Sequence, residues 1–276
     1  MTKKDKNKMK LSVVIPTHPG HRRFIKPCVV HARALGAVDI TILYDNKLKH
    51  SAAIPSVANY LPADDVCQMA DSVLLNRRDN KHGGVGVPWY FEQRDSYGLM
   101  FSRRAELVLS INGDCVITKP EGFHKFVKDF IDGGYDISPT NYHVNNFGTM
   151  GFLATGEAYV NVMRHLIDTL YDKQTNAESR LAVSSKAIGL KAMDTGWPRD
   201  REFSRIHMEA EGVWAKELGF IHLHGTEKHR IGNKVLPLGP EFYDTRYLRP
   251  NEVAALTAYW KDGDVKHLYE NNYWRK

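Results

Sequence analysis

The apolar positions of this chain fall into short runs that stop on Pro, Gly, Asn or Asp. "KLSVVIPTHPG" predicts a buried strand over residues 11–15, halted at Pro16. "HRRFIKPCVVHARALGA" has helical spacing and is ended by Gly36. Pro27 lies inside it, so either the first turn is irregular or the helix proper starts near Pro27. "VDITILYDN" predicts a second strand over residues 39–44, ending on Asp45-Asn46. Strand, helix and strand in so short a span make a βαβ unit with a parallel pair. "ADSVLLNRRDN" predicts a third strand, "YFEQRDSYGLMFSRRA" a second helix and "ELVLSI" the next strand. Residues 11–117 therefore predict a parallel α/β half.

The second half changes character. "GFHKFVKDFIDGG" is an amphipathic helix and "YDISPT" a short strand. "NNFGTMGFLATGEAYVNVMRHLIDTLYD" runs from a Gly-rich loop through a strand into a long helix. "VWAKELGFIHLHGT" predicts a helix, a stop at Gly219 and a strand carrying His222 and His224. The tail beyond residue 230 predicts one helix, near "PNEVAALTAYW". No linker composition divides the halves, so one continuous domain is expected over residues 11–230, split into halves at 117/118. A C-terminal tail is expected over 231–276.

One stretch resists the pattern. "ELVLSINGDCVITKP" is a buried run that breaks on Asn112-Gly113-Asp114 and resumes at Cys115. Asn-Gly between apolar runs is a strong hairpin signal, which would make Asp114 a turn neighbour. The competing reading is a ligand site. Alternate residues at a strand end point the same way, so Asn112 and Asp114 would offer two oxygens suited to a hard divalent cation.

Bulk properties narrow the classes. The chain has 276 residues, with 42% hydrophobic and 25% charged, as in an ordinary globular protein. No apolar run approaches the roughly 20 residues of a membrane helix. "MTKKDKNKMK" has the positive start of a leader but lacks its apolar region, so residues 1–10 are expected to be a solvated, disordered basic arm and the compartment the cytoplasm. Cys28, Cys67 and Cys115 are odd in number and widely spaced. That pattern argues against a disulfide framework or structural zinc and predicts small buried hydrophobes. A formal net charge of +6 suits a polyanionic partner or an anionic substrate such as a nucleotide diphosphate.

Ligands of an open parallel sheet bind beyond the carboxyl ends of its strands. The candidate clusters are then Thr17-His18-Pro19-Gly20, Asp45-Asn46, residues 76–80 with Asp79, and Asn112-Gly113-Asp114. A single strand-end Asp is an ordinary turn residue. Three at one edge point to a polar crevice for a metal or a sugar.

"LSVVIPTHPG", "ITILYDN" and "INGDCVI", in this order and spacing, resemble GT-A fold glycosyltransferases, particularly family-2-like ones. The resemblance covers roughly residues 11–230. It implies an α/β fold with a mostly parallel central sheet flanked by helices, and a metal-dependent transfer from a nucleotide-sugar, most simply a UDP-sugar. Pro16, Thr17 and His18 would wrap the nucleotide and Asp45 would face its base. Asn112 and Asp114, with Gly113 between them, would stand where the family has D-x-D. They would hold Mn2+ or Mg2+ on the diphosphate. Asn112 replaces the first Asp, so Asp114 would carry most of the binding. A late histidine completes the metal site in many such enzymes, and His224 is the matching choice; the alternative is a pair of exposed edge-strand histidines. The acceptor base would be Glu209 or Glu211 in "HMEAEGVWAKELGF", with Asp194, Asp200 and Glu202 as rivals. Acidic residues at a helix start also need no other role than favouring the dipole.

"HGGVGVPWYF" lacks the third Gly of a dinucleotide loop and is interrupted by Pro88, so a mobile loop over the donor is expected. Asp79, and Arg94 on the following helix, join the donor-side candidates. Phe147 and Trp197 could stack on a sugar or base, or simply pack in the core. The acceptor expectation is a hydroxymethylated base such as 5-hydroxymethylcytosine in duplex DNA, by resemblance to small phage-type enzymes, with no membrane partner. Such a base would have to be flipped out of the stack. A saccharide or lipid-carrier acceptor of surface-polymer synthesis is the alternative. A nucleotidyltransferase should show a Gly-rich loop with Lys after the first strand, which "PTHPGHRR" lacks. A non-catalytic nucleic-acid binder would explain the charge but leaves the strand-end acids without a role.

Overall fold

The computed structural model describes residues 10–17, 24–45, 67–72, 104–140, 142–143, 146–147, 150–168, 177–196, 213–222, 243, 245 and 248–262. Its centre is a six-stranded sheet of β1 (Leu11–Thr17), β2 (Asp39–Asp45), β3 (Cys67–Ser72), β4 (Leu107–Ile111), β6 (Ile137–Pro139) and β9 (Gly151–Thr155), in the order β3-β2-β1-β4-β9-β6. Outside it, β5 (Cys115–Ile117) pairs with β10 (Phe220–His222), and β7 (Tyr142–His143) with β8 (Asn146–Phe147). β1, β2, β3 and β4 are mutually parallel, and β9 runs antiparallel to both β4 and β6. The architecture is the expected one: α/β, with a mostly parallel central sheet flanked by helices.

Alternation along the strands divides the interior in two. Leu11, Val13 and Ile15 of β1 join Ile40, Ile42, Leu107, Leu109 and Ile111 in one apolar core. Val14 and Val108 face the opposite core with Phe152 and Ala154. Both faces being covered explains why β1 and β4 read as nearly unbroken apolar runs. The first core is closed by α1 (Ile25–Ala34), α2 (Pro120–Asp132), α5 (Val213–Leu218) and α6 (Pro250–Asp262). The second is closed by α3 (Gly156–Asp168) and α4 (Ala177–Ala187).

The helices follow local chemistry closely. Pro27 falls in the first turn of α1, where its missing N–H costs nothing, and Gly36 takes φ 82° just past the end. α2 starts with Pro120 and buries Phe123, Phe126 and Phe130 on one stripe. Thr155 caps α3, accepting the Ala158 N–H at 3.2 Å.

Three expectations change. β1 continues through Pro16 to Thr17, because β4 pairs with β1 only as far as Val14. The Pro16 carbonyl faces the β4 side, where it accepts the Gly113 N–H. A strand residue's N–H points the same way as its carbonyl, so the missing donor falls where the β4 ladder has already ended. β3 begins at Cys67, three residues before the expected run, because its extent is set by pairing from Ile40 to Asp45 of β2. Finally, α4 had no sequence signal: its buried positions include Ser184 and Ser185 as well as Leu181 and Ala182.

Lys10, the last residue of the expected arm, is tied to the fold. Its N–H donates to Glu106 Oε2 at 2.7 Å and its carbonyl accepts the Leu107 N–H at 3.1 Å. No helix among the described residues is long and apolar enough to cross a membrane.

Candidate functional site

The break at Asn112-Gly113-Asp114 is a corner between two sheets. β4 pairs with β1 and β9 in the central sheet. The next strand, β5 (Cys115–Ile117), pairs instead with β10 (Phe220–His222), antiparallel. β4 and β5 do not pair with each other, so the hairpin reading is excluded.

The corner is held by backbone bonds on several sides. Gly113 N–H donates to the Pro16 carbonyl at 2.8 Å, joining the end of β4 to the end of β1. Asn112 N–H donates to the Met150 carbonyl at 2.9 Å, and Cys115 N–H closes the turn onto the Asn112 carbonyl at 2.9 Å. The sheet order reverses between β1 and β4, since β2 and β3 extend to one side and β4 starts the other. The Gly113–Pro16 bond therefore bridges the topological switch point, where open α/β sheets place their ligands.

Asp114 is only 2% exposed. Its Oδ1 lies 3.7 Å from the Cys115 thiol sulfur. Beneath it, the Cys28 Sγ of α1 lies 3.1 Å from both the Gly113 and the Cys115 carbonyl oxygens. Burial, and next the Asp114 charge, push the Cys28 thiol well above its ordinary pKa, so it stays protonated and donates. Cys28 and Cys115 are both buried free thiols, as expected. Asn112 donates its amide nitrogen to Met150 Sδ at 3.3 Å. The atom with ligand chemistry on that residue is its oxygen.

These donors can be tested against a cation. A carboxylate and an amide oxygen are hard ligands of the type Mg2+ and Mn2+ take, and Mg2+ beside phosphates commonly uses only one or two carboxylates. No group of three His, Cys, Asp or Glu side chains suited to a metal occurs among the described residues. The donor chemistry fits a cation shared with a phosphate-bearing substrate, and two such side chains do not form a closed structural site.

The other candidates are distributed as follows. Pro16 and Thr17 end β1, and Asp45 ends β2 one residue past the Thr17–Tyr44 pair. β10 runs antiparallel to β5, so its final residue, His222, lies opposite Cys115, beside Asp114. His224 follows two residues later, outside the described residues, as do His18, Asp79, Arg94, Trp197, Asp200, Glu202, Glu209 and Glu211. Phe147 is 1% exposed and packs against Tyr142 with ring centroids 5.4 Å apart, in the second core. It occupies the core position that was the alternative to stacking on a ligand.

One feature of the site had no motif. Residues 192–195 run alongside β6, with Ile137 and Ala192 bridged in parallel and Met193 N–H donating to the Ile137 carbonyl at 2.8 Å. Asp194 is thereby carried to the carboxyl end of β6, exposed, with Oδ1 accepting the Gly196 N–H at 2.9 Å. Val213 N–H then donates to the Thr195 carbonyl at 3.1 Å. Thr195 and Val213 therefore both stand at this edge. Asp200, Glu202, Glu209 and Glu211 all lie in sequence between these two neighbouring points.

No protein-family model matches the chain, and no curated protein matches it in sequence. Among solved structures, a protein of Desulfovibrio desulfuricans G20 described as a candidate nucleotide-diphospho-sugar transferase superposes with TM-score 0.46 at 11% identity. That match covers 72% of this chain and 91% of the other. The 4-diphosphocytidyl-2C-methyl-D-erythritol synthase of Anaerococcus prevotii DSM 20548 gives TM-score 0.44 at 8% identity, over 69% of this chain and 90% of the other. Likeness at this level carries no weight for function, which rests on the site itself.

Proposed function

We propose that the chain is a metal-dependent glycosyltransferase that moves a sugar from a nucleotide-sugar to a hydroxyl acceptor. One observation carries the reading: the Gly113–Pro16 bond joins the Pro-Thr end of β1 to the Asn-x-Asp corner at the switch point of a parallel sheet. Asp45 at the end of β2, next to β1, extends the same edge. The resemblance to GT-A glycosyltransferases implies that nucleotide, base and diphosphate lie along this edge.

Asp114 and Asn112, with His224 beyond the end of β10, are the residues that would hold Mn2+ or Mg2+. When bound, the ion would neutralise the charge that develops on the leaving diphosphate. Pro16, Thr17, His18 and Asp45 bind and orient the nucleotide, with Asp79 and Arg94 on the donor side. In an inverting transfer the acceptor oxygen forms its bond to the anomeric carbon as the bond to the diphosphate breaks. The electron pair leaves with the diphosphate, and the acceptor proton passes to a carboxylate. Glu209 and Glu211, then Asp200, are the candidates for that base. Thr195 and Val213, which bracket these candidates in sequence, meet at the carboxyl edge, and this favours a base from this segment. Trp197 belongs to the same segment and is the residue proposed to stack on the acceptor.

The acceptor we propose is a hydroxymethylated base in duplex DNA. Its support is the net charge of +6 together with the row of strand-end acids, which a pure nucleic-acid binder would not need. A screen of UDP- and GDP-sugar hydrolysis with and without Mn2+ tests the donor half. Release of a nucleoside diphosphate that needs Mn2+ is expected. No hydrolysis of any donor, with or without the ion, would overturn the enzyme reading.

A further inference from the structure

The Cys28 thiol is wholly buried, so it meets no substrate, yet it approaches the corner from outside the sheet. Its sulfur lies 3.1 Å from the Gly113 carbonyl and 3.1 Å from the Cys115 carbonyl, the two carbonyls that flank Asp114 in the chain. A thiol has one hydrogen, so the S–H is shared between them and ties both peptide groups to α1. On the other side, β1 holds the same corner through the Pro16 carbonyl. Asp114 is thus carried on a turn clamped between a strand and a helix, with α1 packed against β5 and β1.

We propose that Cys28 is a positioning residue for Asp114: its thiol sets the Gly113–Cys115 backbone from α1 and so tunes how tightly the Asp114 carboxylate holds a divalent cation. This rests on the reading of Asp114 as a cation ligand. The physical reason is one of tolerance. Hard-cation sites demand near-ideal ligand placement, and partners that orient a ligand are commonly worth about 10–100-fold in affinity. An apolar side chain of similar volume would fill the same space but would remove the thiol donor that links both carbonyls to α1.

The experiment measures Mn2+ binding directly, from the electron paramagnetic resonance signal of the free ion, in the presence of UDP. The wild type is compared with Cys28→Ser, Cys28→Ala, Cys28→Val and Asp114→Asn. The expected result is binding weakened about tenfold or more in Cys28→Ala and Cys28→Val, with Cys28→Ser within about threefold of wild type, because serine restores a donor. Amide hydrogen exchange over residues 112–115 should accelerate in the Ala and Val variants alone. Cys28→Val keeps the side-chain volume, so it stands in if Cys28→Ala does not fold. Wild-type affinity in either folded apolar variant, or no recovery in Cys28→Ser, would overturn the proposal and leave Cys28 a packing residue. A failure of the underlying reading looks different. The wild type itself would then bind no Mn2+, or Asp114→Asn would bind it unchanged.

Discussion

Asp114 combines two properties that pull in opposite directions. It is a carboxylate, and it is almost wholly buried beside a thiol. Burial raises the cost of a charge, which hydrogen-bond partners or a bound cation can offset. The isosteric Asp114→Asn separates these: Mn2+-dependent turnover should fall at least about 100-fold, since even outer partners of a metal ligand are worth about 10–100-fold. Thermal denaturation should meanwhile show a folded protein. Asp45→Ala should instead weaken donor binding more than it slows chemistry, which separate measurements of donor Kd and kcat would reveal. Cys28 supplies a pH test. Its native pKa is raised by burial and by Asp114, so the folded state keeps the proton longer than the unfolded state. The stabilisation is complete below the unfolded thiol value of about 8.5 and is lost as pH climbs towards the native value, at up to about 1.4 kcal/mol per pH unit. Urea unfolding at pH 7.5 and 9.5 should show the wild type losing stability relative to Cys28→Ser.

Most elements were legible because their reasons are local. Three phenylalanines at helical spacing behind Pro120 define α2, and Pro27 and Gly36 bracket α1. α4 was not legible, since two of its buried positions are serines and Val183 is exposed. The start of β3 was misplaced because a strand's extent depends on its partner, here β2. Packing between elements also assigns roles that no pattern shows. At Gly122 of α2, an added Cβ would collide with the Glu217 carbonyl oxygen of α5. The two helices touch backbone to backbone there, and Phe126 meets Trp214 edge-on at 5.7 Å nearby. Gly122→Ala should therefore destabilise the protein by about 1–3 kcal/mol through overpacking, read from the midpoint of denaturant unfolding.

At the scale of the whole molecule, the net charge of +6 bears on the acceptor. If duplex DNA is the acceptor, binding should weaken steeply with salt, with a log–log slope of about −0.9 per neutralised phosphate. Removing residues 1–9, with Lys3, Lys4, Lys6 and Lys8, should make that slope shallower and leave donor hydrolysis intact. The cut belongs before Lys10, whose backbone is bonded to Glu106 and Leu107. Hydroxymethylcytosine duplexes should gain the mass of a sugar by nucleoside mass spectrometry, whereas plain cytosine duplexes should not. Salt-insensitive DNA binding with no mass gain would favour the saccharide acceptor.

The chain by itself determined most of the strands and helices, α4 excepted, because apolar period, proline and glycine act over a few residues. It also determined that acids cluster at strand ends. It left the meaning of Asn112-Gly113-Asp114 open, since a hairpin and a sheet corner share the same local chemistry. That was decided by partners far away in sequence. β4 found β1 and β9, β5 found β10, and Gly113 found Pro16. The thiol of Cys28, some eighty residues from the corner, came to lie under Asp114 for the same reason. Strand pairing and burial are long-range choices, and only the tertiary structure makes them.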